Sequence, residues 1–199
     1  MASFLHSLVD RQVKEIHESF DQIRLTDESR HKKFEKFKLV ISDFHLVDGE
    51  RLEGGQGKKN YLEDFHYDEE FAEFLDYYSS GEYKDFEVEL ILNGDFVDEF
   101  NVTLDNYANN DFSEGACFAR YIKVIANHPI VFKTMRRFAS TKRKSIKVII
   151  GNHDPGLQFY SVRRLIRGVC GAKVIGHLYR FEDVLITHGN CLYAANSFD

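Results

Sequence analysis

Short apolar runs alternate with longer segments of helical periodicity along this chain. Phe4, Leu5, Leu8, Val9, Val13, Ile16, Phe20 and Ile23 recur at steps of three and four, which predicts an amphipathic helix near the start. "FKLVIS" (37–42) is short and continuous, as in a buried strand, and the charged, Gly-rich "DGERLEGGQGKKN" follows as a loop. "YDEEFAEFLDYY" (67–78) sets Phe71, Phe74 and Leu75 on one helical face, and "FEVELIL" (86–92) predicts the next strand. Residues 99–145 form a long connection with helical stretches, among them "FARYIKVIANHPIVFKTMRRFA". "IKVII" (146–150) predicts a third strand, and "LQFYSVRRLIRGV" a helix with Gly171 just beyond it. "AKVIGHLYRF" and "VLIT" predict a hairpin or paired strands around Glu182-Asp183. Strands alternating with helices predict α/β layers. The organisation reads as a helical segment over 1–35 and one α/β domain over 36–199, with no internal repeat.

Composition narrows the class only mildly. The 199 residues suffice for one domain with a sizeable core, and 43% apolar with 29% charged residues is ordinary for a globular chain. A net charge of −6 weighs against a dedicated nucleic-acid binder, whose footprint is usually basic. Cys117, Cys170 and Cys191 are odd in number and include no C-x-x-C pair, so a disulfide framework is not expected and a reducing compartment is. No apolar run approaches transmembrane length, and no signal-peptide pattern opens the chain. A cytoplasmic location is the expectation.

The polar residues that terminate the strands change the picture. "LVIS" leads into Asp43-Phe44-His45, and "LIL" into Asn93 and Gly94-Asp95-Phe96-Val97-Asp98. "VII" leads into Gly151-Asn152-His153-Asp154, and "VLIT" into His188-Gly189-Asn190. Open α/β sheets place their sites at the carboxyl ends of strands. Asp-x-His alone recurs in many unrelated chains, and Gly-Asp-x-x-Asp is a common turn. Gly-Asn-His-Asp directly after a strand is far more specific, and the ordered set points to a shared metal site.

D-x-H, G-D-x-x-D, G-N-H-D and H-G, in this order over residues 37–190, resemble the calcineurin-like metallophosphoesterases. "SDFHL", "LNGDFVDEF" and "THGN" are most similar to the bacterial branch that includes UDP-diacylglucosamine hydrolase. The resemblance implies an α-β-β-α sandwich of two sheets flanked by helices. It implies hydrolysis of a phosphoester or pyrophosphate bond by a hydroxide activated between two divalent ions. Asp95 would bridge the ions, Asp43 and His45 would hold one, and Asn152 and His188 the other. His153 would stabilise the transition state or protonate the leaving oxygen. Asp154 would orient the His153 ring and Asp98 would orient His45. Gly94 and Gly151 would allow the tight turns that bring main chain close to the ions. Oxygen and imidazole donors without thiolate favour manganese, with iron, zinc or magnesium as alternatives. Cys191 is expected to be a small buried thiol and no ligand.

The chain departs from the family pattern in one respect. The family's Gly-His-x-His motif, downstream of His-Gly, is absent; Gly176-His177 precedes His188 and continues into Leu178-Tyr179, so His177 is expected to be a strand residue. The chain is therefore expected to be the front portion of a longer protein. Lys133, Arg136, Arg137, Lys142, Arg143 and Lys144, with Arg163, Arg164 and Arg167, form basic clusters that are expected to be solvated helix faces, with a phosphate or nucleic-acid groove as the alternative. The expected substrate is a small phosphorylated or nucleotide-linked molecule. A dinuclear nuclease and a non-catalytic scaffold of the same fold are the alternatives; acidity disfavours the first and the retained ligand set the second.

Overall fold

The structure, a computed structural model, describes residues 36–49 and 62–192. The helix expected over 4–23 and most of the Gly-rich loop lie outside the described residues. Strand β1 (Lys36–Ile41) is followed by helix α1 (Asp68–Ser79), β2 (Glu87–Asn93), α2 (Glu114–Asn127), α3 (Pro129–Ser140), β3 (Lys144–Ile149), α4 (Tyr160–Cys170), β4 (Lys173–Gly176), β5 (Leu178–Phe181) and β6 (Val184–Thr187). The first four strands form a parallel sheet in the order β1-β2-β3-β4, and β5 and β6 pair antiparallel.

Period-two patterning sets the face of each strand. Phe37, Leu39 and Ile41 of β1 join Val88, Leu90 and Leu92 of β2 and Ile146, Val148 and Ile150 around β3 in one core. Against them pack Phe71 and Leu75 from α1, Cys117, Tyr121 and Val124 from α2, Phe132, Met135 and Phe138 from α3, and Val162 and Ile166 from α4. A sequential strand order with right-handed crossovers puts every crossover helix on the same face. Each fully buried Leu, Val or Phe adds ~1.5–3 kcal/mol relative to exposure. The long 99–145 connection divides at His128-Pro129, where proline supplies the first residue of α3 and α2 ends.

The opposite face carries a different pattern. Lys38, Glu89 and Lys147 point away from the core cluster, and β5–β6 lies against them. The Tyr179 hydroxyl donates to Glu89 Oε1 at 2.7 Å, Lys147 Nζ pairs with Glu89 Oε2 at 2.8 Å, and Lys38 sits 4.4 Å from the Phe181 ring centroid. Among the described residues the second sheet consists of these two strands. The run expected to be one strand over 172–181 divides at Gly176, whose φ is +101°. Its first part joins the parallel sheet and its second starts the hairpin, so His177 sits between strands and is not a strand residue. The side chain of Cys191 lies outside the described residues. No described helix is long and apolar enough to cross a membrane.

Candidate metal centre

All four strand-end clusters converge beyond the carboxyl ends of β1, β2, β3 and β6. The segments after β1 and β2 run side by side, joined by backbone hydrogen bonds. Asp43 N donates to Gly94 O (3.2 Å), His45 N to Asp95 O (2.9 Å), Leu46 N to Phe96 O (3.1 Å), and Asp98 N back to Leu46 O (3.0 Å). This zipper holds Asp43, His45, Asp95 and Asp98 together. It also forces unusual backbone. Among the described residues five non-glycine residues have positive φ, and three are Asp43 (58°), His45 (49°) and Asp95 (51°). Such conformations cost roughly 1–3 kcal/mol each and persist where the surroundings impose them, commonly at functional sites.

Asp95 is the centre of the arrangement. Its carboxylate is buried, and Oδ1 accepts the His153 backbone N–H at 2.9 Å. Oδ2 lies 3.1 Å from His188 Nε2 and 3.6 Å from His45 Nε2. Asp43 Oδ1 is 3.8 Å from the same His45 nitrogen. Asp43, His45 and Asp95 thus offer three ligand atoms close enough to share an ion, and His45, Asp98 and His153 form a second such group.

The donor set fits a metal. His188 Nδ1 lies 2.8 Å from the Asn93 carbonyl, which can only accept, so that nitrogen carries a proton and Nε2 is the atom turned to Asp95. His45 Nδ1 faces Asp98 Oδ2 at 3.4 Å, leaving Nε2 for Asp43 and Asp95. Metal-binding histidines are characteristically tied this way through their other nitrogen. Two ligands ~2.1 Å from one ion lie ~3.0–3.4 Å apart at tetrahedral or octahedral angles, close to the spacing of Asp95 Oδ2 from both imidazoles.

Two glycines permit this packing. A Cβ on Gly94, whose φ is +83°, would stand 2.4 Å from His188 Cγ; one on Gly151 would stand 2.1 Å from Asp95 Oδ1. Both glycines therefore let the His188 and Asp95 side chains approach bare backbone.

Two carboxylates take roles that adjacency did not suggest. Asp98 serves both His45 and His153: its Oδ1 is 3.1 Å from His153 Nδ1, though not aligned as a hydrogen bond. Burial works against the Asp98 charge, but the contact with His45 Nδ1 and the close approach of the His153 ring hold the carboxyl below its usual range. The Asp98 bond in turn raises the His45 imidazole against the opposing effect of burial. Asp154, expected to orient the His153 ring, instead accepts backbone N–H groups of Phe96 (2.9 Å) and Gly151 (2.6 Å). It staples the turns after β2 and β3 together. Full burial pushes its carboxyl up to about 8 despite these two donors. Asn152 is half-buried on the same turn, between Gly151 and His153.

The sequence reading missed Asn101, whose amide Nδ2 donates to Asp98 Oδ2 at 2.8 Å. Only its place three residues past Asp98, inside a short helical turn that Asp98 caps, could have pointed to it. It also missed Glu63, which holds the backbone of Val47 and Gly49 just after His45, at 2.9 and 3.2 Å.

Several members of the basic clusters have partners within the fold, although most of the nine residues are exposed. Lys144 is buried and donates to the carbonyls of Tyr83 and Phe86. Arg143 binds the Asp85 carbonyl, Arg136 that of Gly168, and Arg163 that of Leu157. Arg137 pairs with Asp76. No family model, curated protein or solved structure matches the chain.

Proposed function

We propose that this chain is a metal-dependent phosphoesterase of the calcineurin-like type, hydrolysing a phosphoester or pyrophosphate bond at a dinuclear site. The observation that carries the reading is Asp95 Oδ2, placed between His188 Nε2 at 3.1 Å and His45 Nε2 at 3.6 Å. One carboxylate oxygen facing two oriented imidazoles from different strands suits a bridge between two ions. Asp43 and His45 would hold one ion, Asn152 and His188 the other, and manganese is the ion of choice for this oxygen and nitrogen set. Bound there, divalent ions polarise the phosphoryl group and supply a nucleophile near neutral pH.

The chain's own residues do the rest. Asp98 Oδ1, 3.1 Å from His153 Nδ1, keeps the ring oriented. His153 would serve as the group that hands a proton to the leaving oxygen. The fused turns after β1, β2 and β3 hold these groups in place before substrate arrives. The substrate is proposed to be a small phosphorylated or nucleotide-linked molecule. The net charge of −6 favours such a molecule over nucleic acid. The test is calorimetric manganese titration together with hydrolysis of bis(4-nitrophenyl) phosphate. A chain that binds no manganese and cleaves no phosphodiester would overturn the proposal.

A further inference from the structure

The turn that follows Asp98 brings an exposed aromatic ring to the metal centre. Phe100 is 51% exposed. Its ring nevertheless lies 5.4 Å from that of His153, at 73°, and 4.8 Å from that of Phe112. A solitary exposed phenylalanine needs no explanation. A ring held beside the proton donor proposed for the reaction is a different matter.

The main chain of Phe100 and the ring of Phe112 are both held from behind. The Phe100 backbone N–H donates to Asp98 Oδ1 at 3.2 Å, the same carboxylate that faces His153. Phe112 is backed by Arg120, whose guanidinium carbon stands 4.8 Å from the ring centroid. Arg120 is fully buried and donates to the carbonyls of Val102 (3.2 Å), Asn109 (3.0 Å) and Asp111 (2.5 Å). It thereby locks the whole 102–112 segment. The two rings form a ledge whose position is set before anything binds.

We infer that Phe100 stacks against a planar leaving group, a nucleoside base or an aryl ring, and so makes the enzyme selective for such substrates. The inference rests on the phosphoesterase reading: His153 addresses the leaving oxygen, so the group attached to that oxygen is the one that meets the ledge. A flat ring covers the Phe100 face, whereas a short alkyl group does not. Stacking of this kind tolerates different bases, because every base presents a π face.

The test compares ligands that differ only in the stacked group, on the manganese-loaded full chain. Dissociation constants for phenyl phosphate, AMP, methyl phosphate and inorganic phosphate are measured by calorimetry. Phenyl phosphate and AMP are expected to bind about tenfold tighter than methyl phosphate. Phe100→Ala should erase that advantage with the affinity for inorganic phosphate retained, and Phe100→Trp should restore it. Equal binding of phenyl and methyl phosphate, or an aryl preference that survives Phe100→Ala, overturns the ledge while leaving the phosphoesterase reading intact. Failure of inorganic phosphate itself to bind overturns the underlying reading and the ledge with it. A single-stranded oligonucleotide that binds about a hundredfold tighter than AMP, with a steep loss in salt, overturns the small-molecule assignment in favour of nucleic acid.

Discussion

Asp98 stands between His45 and His153, with Oδ2 3.4 Å from Nδ1 of the first and Oδ1 3.1 Å from Nδ1 of the second. One carboxylate therefore couples a proposed metal ligand to the proposed proton donor. The two rings meet edge to face, 4.7 Å apart, so a shift in either is felt by the other. Asp98 is itself fixed by Phe100 N and Asn101 Nδ2, which leaves it little freedom to follow a displaced histidine.

Removing that carboxylate should lower manganese affinity and turnover together. Asp98→Ala is expected to cost ~10–100-fold in each, the usual scale for losing a partner of a ligating histidine. Asp98→Asn keeps an acceptor for Phe100 N and should fold normally while losing the charge that supports both imidazoles. Metal titration and phosphodiester turnover on both variants make the check. Unchanged affinity with unchanged turnover would remove Asp98 from the mechanism.

Asp95 and His153 should separate cleanly. Asp95→Asn removes the charge expected between two ions and should abolish both metal content and activity. His153→Ala should retain metal and lose ~10²–10⁴-fold in turnover, the contribution typical of acid–base assistance. Elemental analysis of the purified variants distinguishes the two cases. Metal retained in Asp95→Asn would rule out the bridging role, and metal lost in His153→Ala would make His153 a ligand.

The parts of this site legible in the sequence were those encoded by local pattern. Four apolar runs end in ligand-type residues; β1, β2 and β3 deliver theirs to one place because parallel strands share a carboxyl edge, and β6 of the hairpin brings the fourth. What the pattern could not show were contacts between distant segments. Asp154 adjoins His153 in sequence, yet its carboxylate turns inward to Phe96 and Gly151 backbone, because two turns with unpaired N–H groups meet there. The pairing of His128 with Glu63 and Asp68 joins three segments, each of which alone contains only an ordinary polar residue. The split of 172–181 turned on the backbone at Gly176, where apolar periodicity continued through the break.

Adding one methyl group at either site glycine should test the packing directly. Gly94→Ala sets a Cβ 2.4 Å from the His188 ring at a φ of +83°, and Gly151→Ala sets one 2.1 Å from Asp95 Oδ1 and 2.4 Å from Asp95 N. Neither His188, pinned at Nδ1, nor the Asp95 backbone can move aside cheaply. Each variant is expected to lose at least tenfold in manganese affinity and ~1–3 kcal/mol in stability. Gly168→Ala, in α4, where nothing lies within 4 Å of the added Cβ, is the control: it should leave metal affinity unchanged and raise stability slightly, by about 0.5–1 kcal/mol. Wild-type metal affinity in Gly94→Ala would show that His188 is free to swing away and does not serve as a ligand.

The last expectation concerns pH and the buried imidazole that braces the site. His128 is 4% exposed and lies 3.0 Å from Asp68 Oδ1 through Nδ1 and 3.0 Å from Glu63 Oε2 through Nε2. Burial opposes its charge, but hydrogen bonds and the charges of both carboxylates raise it to about 9 from 6.5. Folding therefore favours the protonated ring. The stabilisation is fully present below about 6.5 and is lost as pH rises through about 9, a change on the order of 3 kcal/mol. Urea unfolding across that window should show wild type losing stability as pH rises. His128→Asn should be less stable at the acidic end and nearly flat across the same range. A wild-type stability that does not fall between pH ~6.5 and ~9 would mean that His128 is neutral in the folded chain and braces nothing through its charge.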